Sequence, residues 1–432
     1  MTAVADDPTT TSSITTSPGT PPLDVAALLD ARVPGRPLAQ PFYTSPEIFE
    51  LDLAAVFGRS WIFVANEAEI REPGDFVTVE IGAWSVIVVR DDDEQVRAWH
   101  NVCRHRGARV LTDRVGSVGN IVCGYHKWTY GTDGALLHAG QQPRDFDRSC
   151  LGLKPVHVRS VAGLIHICLA DEPPADFEDV ATRLEPYLLP HRLSQAKVAA
   201  TEDIVENGNW KLVMENNREC YHCDGHPELS CSLFPTYGYD EADVPPLLRP
   251  AFDRYLAADA DLQRVCGELG LPFARLEELD ERPSGFRAQR EPLDGAGESF
   301  TPDGRAVCRK RLGDLPEARL GRLSMHHQPN TWLHVLSDHA VTFTALPLSA
   351  DRTLVRTTWL VHEDAVEGED YDLDALTDTW RQTNLQDATF VARAQLGVSS
   401  PAYEPGPYTL SEYQVEKFCT WYLDRLREQV AR

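Results

Sequence analysis

The stretch Cys103-Arg-His105 is followed, after seventeen residues, by Cys123-Gly-Tyr-His126. Each group pairs a cysteine with a histidine, and thiolate and imidazole are common protein ligands for zinc and for iron. Residues typical of strands precede the first group and follow the second. Both ligand pairs are therefore predicted to lie on loops between strands, where two facing hairpins can share one metal centre.

The mixed pairs favour a Rieske [2Fe-2S] cluster over a zinc site. In such a cluster, two thiolates bind one iron and two imidazoles bind the other. We therefore expect Cys103 and Cys123 to bind the first iron, and His105 and His126 to bind the second. Neutral nitrogen ligands raise the reduction potential of the cluster, to roughly −150 to +300 mV. A Cys₂His₂ zinc knuckle is the alternative, although zinc pairs are usually Cys-Cys and His-His.

Composition describes an acidic chain with room for two or three domains. It has 432 residues, with 41 Lys and Arg against 66 Asp and Glu, for a net charge of −25. This charge disfavours nucleic acid and anionic membranes as partners. The sequence has no run of eighteen apolar residues, so no membrane helix is predicted. The first 22 residues lack the features of a secretory signal. We expect a cytoplasmic protein in which the cysteines outside the cluster stay reduced.

Sequence periodicity divides the chain into a tail and two domains. Residues 1–40 are expected to form a disordered or extended tail. Residues 41–174 are predicted to form the all-β cluster domain with a helical lead-in, because short apolar strands alternate there with turns. Residues 175–432 mix strands and helices, which predicts an α+β domain. Within it, residues 240–290 are predicted to be mostly helical and residues 281–305 to form a loop or lid.

A second set of metal-ligand residues comprises Glu219, His222 and His226. On a helix these three side chains would fall within about 60° of one face, at 100° per residue. Pro227 disfavours helical conformation at His226, which is therefore expected just beyond the helix end. A mononuclear non-haem iron(II) centre needs two histidines and one carboxylate, and leaves positions free for O₂ and substrate. Such a centre would accept the electrons that a Rieske cluster transfers.

The carboxylate ligand is predicted to be Asp387. A helical pattern over residues 373–395 places Asp387 on the same side as an apolar stripe. A buried carboxylate is costly unless it is paired or bound to a metal. The alternative for Asp387 is a capped or salt-bridged core residue. The alternative for the histidines is a zinc site, or a redox pair, that includes Cys220 and Cys223.

Taken together, these motifs resemble the α subunits of the Rieske non-haem iron oxygenases, from about residue 40 to residue 421. The resemblance implies a Rieske domain followed by a helix-grip catalytic domain, an antiparallel sheet with helices. It also implies two cofactors, a [2Fe-2S] cluster and Fe(II), and a head-to-tail homotrimer. A separate reductase with flavin and an iron–sulfur cluster would supply electrons from NAD(P)H. Segments similar to the quaternary-ammonium branch of the family are 215–223, 226–229, 359–372, 383–387 and 403–408.

The resemblance also implies individual roles for residues of the catalytic domain. His222, His226 and Asp387 would bind the iron. Glu219 would take the bridging position, where its carboxylate hydrogen-bonds an iron-bound histidine and a cluster histidine of the neighbouring subunit. This contact would give electrons a short polar route between the two metal centres.

The branch implies an oxygenase component that uses O₂ to hydroxylate a small quaternary ammonium compound. The reaction expected first is oxidative N-demethylation of glycine betaine to dimethylglycine and formaldehyde. Alternative substrates are carnitine, choline, stachydrine or an aromatic ring, and the alternative class of protein is a non-catalytic Rieske electron carrier. A trimethylammonium group has no proton to donate, so aromatic faces should recognise it. The candidates, each of which could instead be a core aromatic, are Tyr221, Trp332, Phe343 and Trp380.

Overall fold

The computed structural model describes residues 23–236, 239 and 241–431. The described strands form three small antiparallel sheets in the first half of the chain and one seven-stranded antiparallel sheet in the second half. Helices pack against the large sheet. The predicted fold class, an all-β domain followed by an antiparallel sheet with helices, is therefore confirmed. No helix of the described ranges is long and apolar enough to cross a membrane.

The three small sheets pair in the orders β1-β10-β9, β4-β3-β2-β5 and β6-β7-β8. Strands β2 and β3 are central and bury most of their Val and Ile side chains. The ten strands are β1 (Ile62–Asn66), β2 (Asp75–Ile81), β3 (Trp84–Arg90), β4 (Val96–His100), β5 (Val115–Ser117), β6 (Ile121–Val122), β7 (Thr129–Tyr130), β8 (Leu136–His138), β9 (His157–Val161) and β10 (Leu164–Cys168).

The large sheet has the order β11-β17-β16-β15-β14-β13-β12, so most neighbours are also consecutive in the chain. Because strand side chains alternate between the two faces, residues paired across neighbouring strands share one face. Its strands are β11 (Lys197–Glu206), β12 (Leu276–Glu278), β13 (Phe286–Glu291), β14 (Arg322–His327), β15 (Thr331–Val335), β16 (His339–Ser349) and β17 (Arg352–Val361).

Nine α-helices occur in the described ranges, and the longest, α8, packs against β11, α5 and α6. The Asp372 side chain accepts a hydrogen bond from the backbone N–H of Ala375 and so caps the start of α8. The helices are α1 (Val25–Asp30), α2 (Pro41–Thr44), α3 (Pro46–Asp52), α4 (Phe177–Leu188), α5 (Trp210–Asn216), α6 (Pro227–Ser230), α7 (Arg249–Leu269), α8 (Leu373–Val398) and α9 (Tyr413–Val430).

The N-terminal helices pack against the second half of the chain. The carboxylate of Asp52 is fully buried and accepts hydrogen bonds from the Trp210 indole (2.9 Å), the Tyr422 hydroxyl (2.6 Å) and the Lys211 ammonium. These contacts join the end of α3, the start of α5 and the middle of α9. A buried ion pair of this kind is costly to break, because removing one partner leaves an uncompensated charge.

The prediction of a disordered or extended tail over residues 1–40 is wrong for residues 23–40. Helix α1 packs against α9, with Leu29 buried, and Arg32 forms a 2.6 Å ion pair with Glu416. The tail is predicted because residues 1–22 are rich in Thr, Ser and Pro, but the residues after them differ, and α9 supplies a surface on which α1 packs. Residues 1–22 lie outside the described part of the chain.

One prediction for the middle of the second domain is wrong and another is wrong in part. Among the described residues of 240–290 only α7 is helical, and residues 286–291 form strand β13 inside the large sheet, whereas residues 292–305 lie outside helices and strands. Strand β13 is not predicted from the sequence because Arg287 and Arg290 are charged residues, which are usually exposed. Both side chains are buried, because Arg287 pairs with Glu277 and Arg290 donates to the carbonyl of Leu320.

Candidate active site

The two cluster loops have the same backbone design. In each, the residue four positions after the cysteine donates its N–H to the cysteine carbonyl, which closes a tight turn. That residue is Gly107 in the first loop and Lys127 in the second, and both have positive φ, 75° and 58°. The left-handed conformation is free for glycine but unusual for lysine. Strands β4 and β6 end just before Cys103 and Cys123, so the sheets hold the two loops side by side.

The structure buries the two predicted cluster cysteines and brings the two predicted cluster histidines together. Cys103 and Cys123 are buried, whereas His105 and His126 are exposed. The Nδ1 atoms of the two histidines lie 3.2 Å apart, a separation that two ligands of one tetrahedral iron can adopt. The Tyr130 hydroxyl lies 3.2 Å from the Cys103 sulfur. The site thus has a buried thiolate side and an accessible imidazole side, which fits a [2Fe-2S] cluster with mixed ligands.

The second set of ligands also converges. The Nε2 atoms of His222 and His226 lie 3.3 Å and 3.1 Å from the same oxygen of Asp387. Two neighbouring ligands of one ion, each about 2.1 Å from it, lie about 3 Å apart, so all three atoms can bind one metal. Two histidines and one carboxylate on one facet are the donor set of non-haem iron(II), and the residues present fit that ion.

The other nitrogen of each iron-site histidine is also held. Nδ1 of His222 lies 2.5 Å from the Glu219 carboxylate, and Nδ1 of His226 lies 2.8 Å from the Gln386 side-chain oxygen. The Asn216 side chain donates to Asp387 over 2.8 Å. Contacts of this kind fix which nitrogen faces the metal and keep the ring in place. Sequence reasoning had identified Glu219 but missed Gln386 and Asn216, because their contacts join distant parts of the chain.

Electrostatics around the iron ligands favour a bound cation. Burial alone would lower the pKa of His222, but the hydrogen bonds that its ring donates to Asp387 and Glu219 outweigh burial and raise the pKa to about 9. Burial would raise the pKa of Asp387, but its hydrogen bonds with His222 and His226 hold the pKa below its usual value. The two carboxylates therefore stabilise positive charge between the histidines, and a metal ion can take the place of the proton.

The local structure of this segment differs from the prediction. Helix α5 ends at Asn216, so Glu219 and His222 lie on turns rather than on one helical face. Hydrogen bonds to the Glu219 carboxylate, from the Tyr221 backbone and the His222 ring, take the place of helical contacts. His226 is non-helical, with φ −115° and ψ 81°, and precedes α6, as the following proline predicted. The candidate ligands therefore come together without the helical arrangement that the sequence predicted.

Two cysteines of this segment form a disulfide, Cys220–Cys223. The expectation that all cysteines outside the cluster stay reduced is wrong for this pair. Residues that flank His222 are close enough to bond because the chain turns sharply there, a feature that spacing alone does not reveal. Cys223 lies within 4.8 Å of both histidine nitrogens. Since its sulfur is bonded to Cys220, the alternative zinc site lacks its thiolates in this structure.

The two halves of the chain match known protein families. Residues 60–158 match the Rieske [2Fe-2S] domain, and residues 193–428 match the ring-hydroxylating α subunit catalytic domain. The chain belongs to the ring-hydroxylating oxygenase α subunits. As a member of this family it is an oxidoreductase of the non-haem iron oxygenase class, and its two cofactors are the Rieske cluster and the mononuclear iron.

Two relatives of this oxygenase α subunit are similar over most of their length. The chain is 43% identical to the glycine betaine monooxygenase oxygenase subunit of Chromohalobacter salexigens, over 93% of this chain and 88% of the relative. It is 40% identical to the subunit of the same name from Pseudomonas aeruginosa, over 93% and 91%. The fold is similar to that of the quaternary ammonium Rieske monooxygenase CntA, with a TM-score of 0.68 at 21% identity, over 92% of this chain and 97% of that one.

A cavity of about 100 Å³ adjoins the iron ligands of the oxygenase subunit. Trp380 is the candidate aromatic that lines it, and the indole stacks on His334 with ring centroids 4.7 Å apart. Trp332 and Phe343 stack on each other at 4.9 Å and are buried outside the lining. Tyr221 is 67% exposed and lines a neighbouring cavity of about 660 Å³. The structure thus brings one of the four aromatics to the iron site.

Proposed function

We propose that this chain is the oxygenase component of a glycine betaine monooxygenase. It would convert glycine betaine, O₂, NADH and a proton into dimethylglycine, formaldehyde, water and NAD⁺. The observation that carries the proposal is the facial set of His222, His226 and Asp387 beside a small cavity with an aromatic wall. Two relatives that bear this activity in their names, at 40% and 43% identity, support it.

The size and lining of the cavity favour a small cation over a fused aromatic ring. Its volume of about 100 Å³ is below the range of about 300–1,000 Å³ usual for sites of larger ligands. Trp380 offers a ring for a trimethylammonium group, which aromatic faces attract through their quadrupole. We propose that Trp332 and Phe343 support this ring from behind, since Phe343 packs edge-on against Trp380 at 5.0 Å. Tyr221 would meet substrate on its way in from the neighbouring cavity.

The residues around the iron would divide the work of the reaction. Iron supplies the oxidation of a substrate methyl group with O₂, and His222, His226 and Asp387 would hold it on one side. The hydroxylated methyl group leaves as formaldehyde, and the amine is left with two methyl groups. Trp380 would hold the ammonium group so that a methyl group, rather than the methylene, faces the metal.

We propose that Glu219 connects the two metal centres between subunits. One Glu219 oxygen lies against the His222 ring; the Glu219 side chain is 12% exposed, and the cluster histidines are exposed. A homotrimer in which each exposed His105–His126 pair contacts the next subunit's Glu219 would bring cluster and iron together. A separate reductase, with flavin and an iron–sulfur cluster, would deliver electrons from NAD(P)H. The proposal includes a cytoplasmic location, where NAD(P)H is available.

The test is to purify the protein without oxygen, count metals, and add substrate with a reductase. The proposal predicts about three irons and two sulfides per chain, with O₂ uptake and formaldehyde release that depend on glycine betaine. Release of formaldehyde in the absence of betaine would contradict it. If the protein does not respond to betaine but oxidises carnitine, choline, stachydrine or an aromatic ring, it is still an oxygenase, and only the proposed substrate is wrong. A loaded cluster without mononuclear iron would indicate an electron carrier.

A further inference from the structure

Three arginines line the cavity beside the iron site, and they differ in how their charge is balanced. Arg287 lies 3.1 Å from the carboxylate of Glu277, and Arg322 lies 3.0 Å from that of Glu291. Arg218 has no carboxylate partner within ion-pair distance in the part of the chain that the structure describes. Its side chain is nevertheless 1% exposed.

Most of the hydrogen-bonding capacity of Arg218 is unused by the protein. Its Nη2 donates to the side-chain oxygen of Gln328 over 2.9 Å, and the guanidinium lies 5.9 Å from the ring centre of Phe418. Nε and Nη1 are buried without a partner among the described residues. Burial, followed by the nearby Arg287, lowers the pKa of Arg218 to about 9. At neutral pH this is a buried positive charge, which is costly until an anion meets it.

The groups around Arg218 do not supply that anion. His326, which also lines the cavity, is buried, and burial together with Arg218 and Arg287 holds its pKa well below the usual value. A neutral imidazole offers no negative charge. Its Nδ1 has no partner among the residues described, so it too can bind a polar group of a ligand. Arg218 and His326 therefore give the lining an unpaired positive charge and buried polar atoms without a partner among the described residues.

Trp380 and the iron ligands share the same small cavity with Arg218. A ligand that satisfies both ends carries a quaternary ammonium near Trp380 and an anionic group near Arg218. We propose that Arg218 binds the carboxylate of the substrate and so restricts the enzyme to carboxylated quaternary ammonium compounds, excluding choline. This inference rests on the proposed function and adds the residue that selects within the substrate class.

The experiment compares binding of glycine betaine and choline to the anaerobic, iron-loaded enzyme by calorimetry. Arg218→Gln is expected to weaken betaine binding roughly 50-fold, because charge-assisted hydrogen bonds are lost, and to leave choline binding within about twofold. Arg218→Lys keeps the charge and should recover part of the affinity. Equal loss for both ligands, or unchanged betaine binding, would overturn the proposal.

Gln328→Glu provides a second test that keeps Arg218 in place. The new carboxylate would lie where the amide oxygen now accepts the 2.9 Å hydrogen bond, and would neutralise the guanidinium from within the protein. We expect weaker betaine binding, unchanged choline binding and a melting temperature at least as high as that of the parent. This variant answers the question even if Arg218→Gln fails to fold. Unchanged betaine affinity in Gln328→Glu would count against the inference.

Arg290→Gln is the matched control. Arg290 is also a buried arginine whose Nε has no partner among the described residues. It lies on the face of β13 opposite to Arg287 and does not line the cavity. Its replacement should leave the ratio of betaine to choline affinity unchanged. If the parent enzyme oxidises betaine and Arg218→Gln binds it normally, only the role of Arg218 fails. If the parent neither binds nor oxidises betaine, the proposed function and this inference are both wrong.

Discussion

Nε2 of His226 lies 3.1 Å from a carboxylate oxygen of Asp387, across the junction between the turns after α5 and helix α8. The same oxygen lies 3.3 Å from Nε2 of His222. One Asp387 oxygen and the two imidazole nitrogens are thus close enough to one another to bind the same metal ion. The relationship therefore makes the contribution of Asp387 directly testable.

Replacing Asp387 with alanine should remove the mononuclear iron and leave the cluster in place. Loss of a ligand weakens the site by more than the 10- to 100-fold that supporting residues cost, so turnover should fall at least about 100-fold. Metal analysis with the cluster absorption spectrum checks both parts. Asp378→Ala, an exposed residue on the same helix, is the control. Retention of three irons in Asp387→Ala would show that another residue binds the metal.

Replacing Glu219 with glutamine should preserve both cofactors and slow the reaction. The carboxylate holds the His222 ring through Nδ1, and an amide accepts that hydrogen bond more weakly. We expect turnover to fall by about 10- to 100-fold. Single-turnover measurements with a pre-reduced cluster separate slow electron transfer from loss of iron. Asp224→Asn, exposed in the same segment, should behave like the parent. Full activity in Glu219→Gln would remove the bridging role.

Replacing Tyr130 with phenylalanine should lower the reduction potential of the cluster. The hydroxyl lies 3.2 Å from the Cys103 sulfur, and a donor at a ligand sulfur stabilises the more negative reduced state. Loss of one hydrogen bond of about 1 kcal/mol corresponds to roughly 40 mV for one electron. Redox titration checks the shift. Tyr125→Phe, at the exposed end of the second loop, is the control, and an unchanged potential in Tyr130→Phe would contradict the prediction.

Glu215 should make the protein less stable as pH rises through the weakly acidic range. Burial raises its pKa from 4.5 to about 7, against the opposing effects of Tyr43 and Lys211. Between these two values the folded state holds a proton that the unfolded chain has released, so folding stability falls with increasing pH in that window. Glu215→Gln imitates the protonated form at every pH.

We therefore expect Glu215→Gln to raise the melting temperature by roughly 3 °C at pH 8 and by much less at pH 5. Thermal unfolding at several pH values provides the measurement. Glu202→Gln is the control, because Glu202 is only partly buried and pairs with Arg381 at 2.5 Å. A parallel pH profile for parent and Glu215→Gln would show that this carboxyl is ionised in the folded protein.

The sequence predicted those parts of the site that are coded by short spacing. Cys103 and His105 are two residues apart, and the alternation around them predicts strands, so the candidate ligands and the fold class both followed. Asp387 was a candidate because of the helical period of the apolar residues around it, and the predicted helix is confirmed as α8. In each case the signal and the structure involve neighbouring residues, so no knowledge of long-range packing was needed.

Features that depend on distant partners could not be predicted. The turns that carry Glu219 and His222 form because α8 and the chain after α5 meet, and strand β13 is stable because its arginines find partners on other elements. Arg218 is polar in the sequence and shows no sign of burial. Its charge is unbalanced because, in the fold, Glu277 pairs with Arg287 and Glu291 pairs with Arg322.

The carboxylate of Asp52 has a consequence for how the chain is synthesised. Helix α3 emerges from the ribosome early, whereas Tyr422, one of its hydrogen-bond donors, lies in the last helix. The core around Asp52 therefore cannot close until α9 has left the ribosome. The small sheets that hold the cluster loops are complete by Cys168, long before that point. The strands beside the cluster loops are thus synthesised before the residues that complete the core around Asp52.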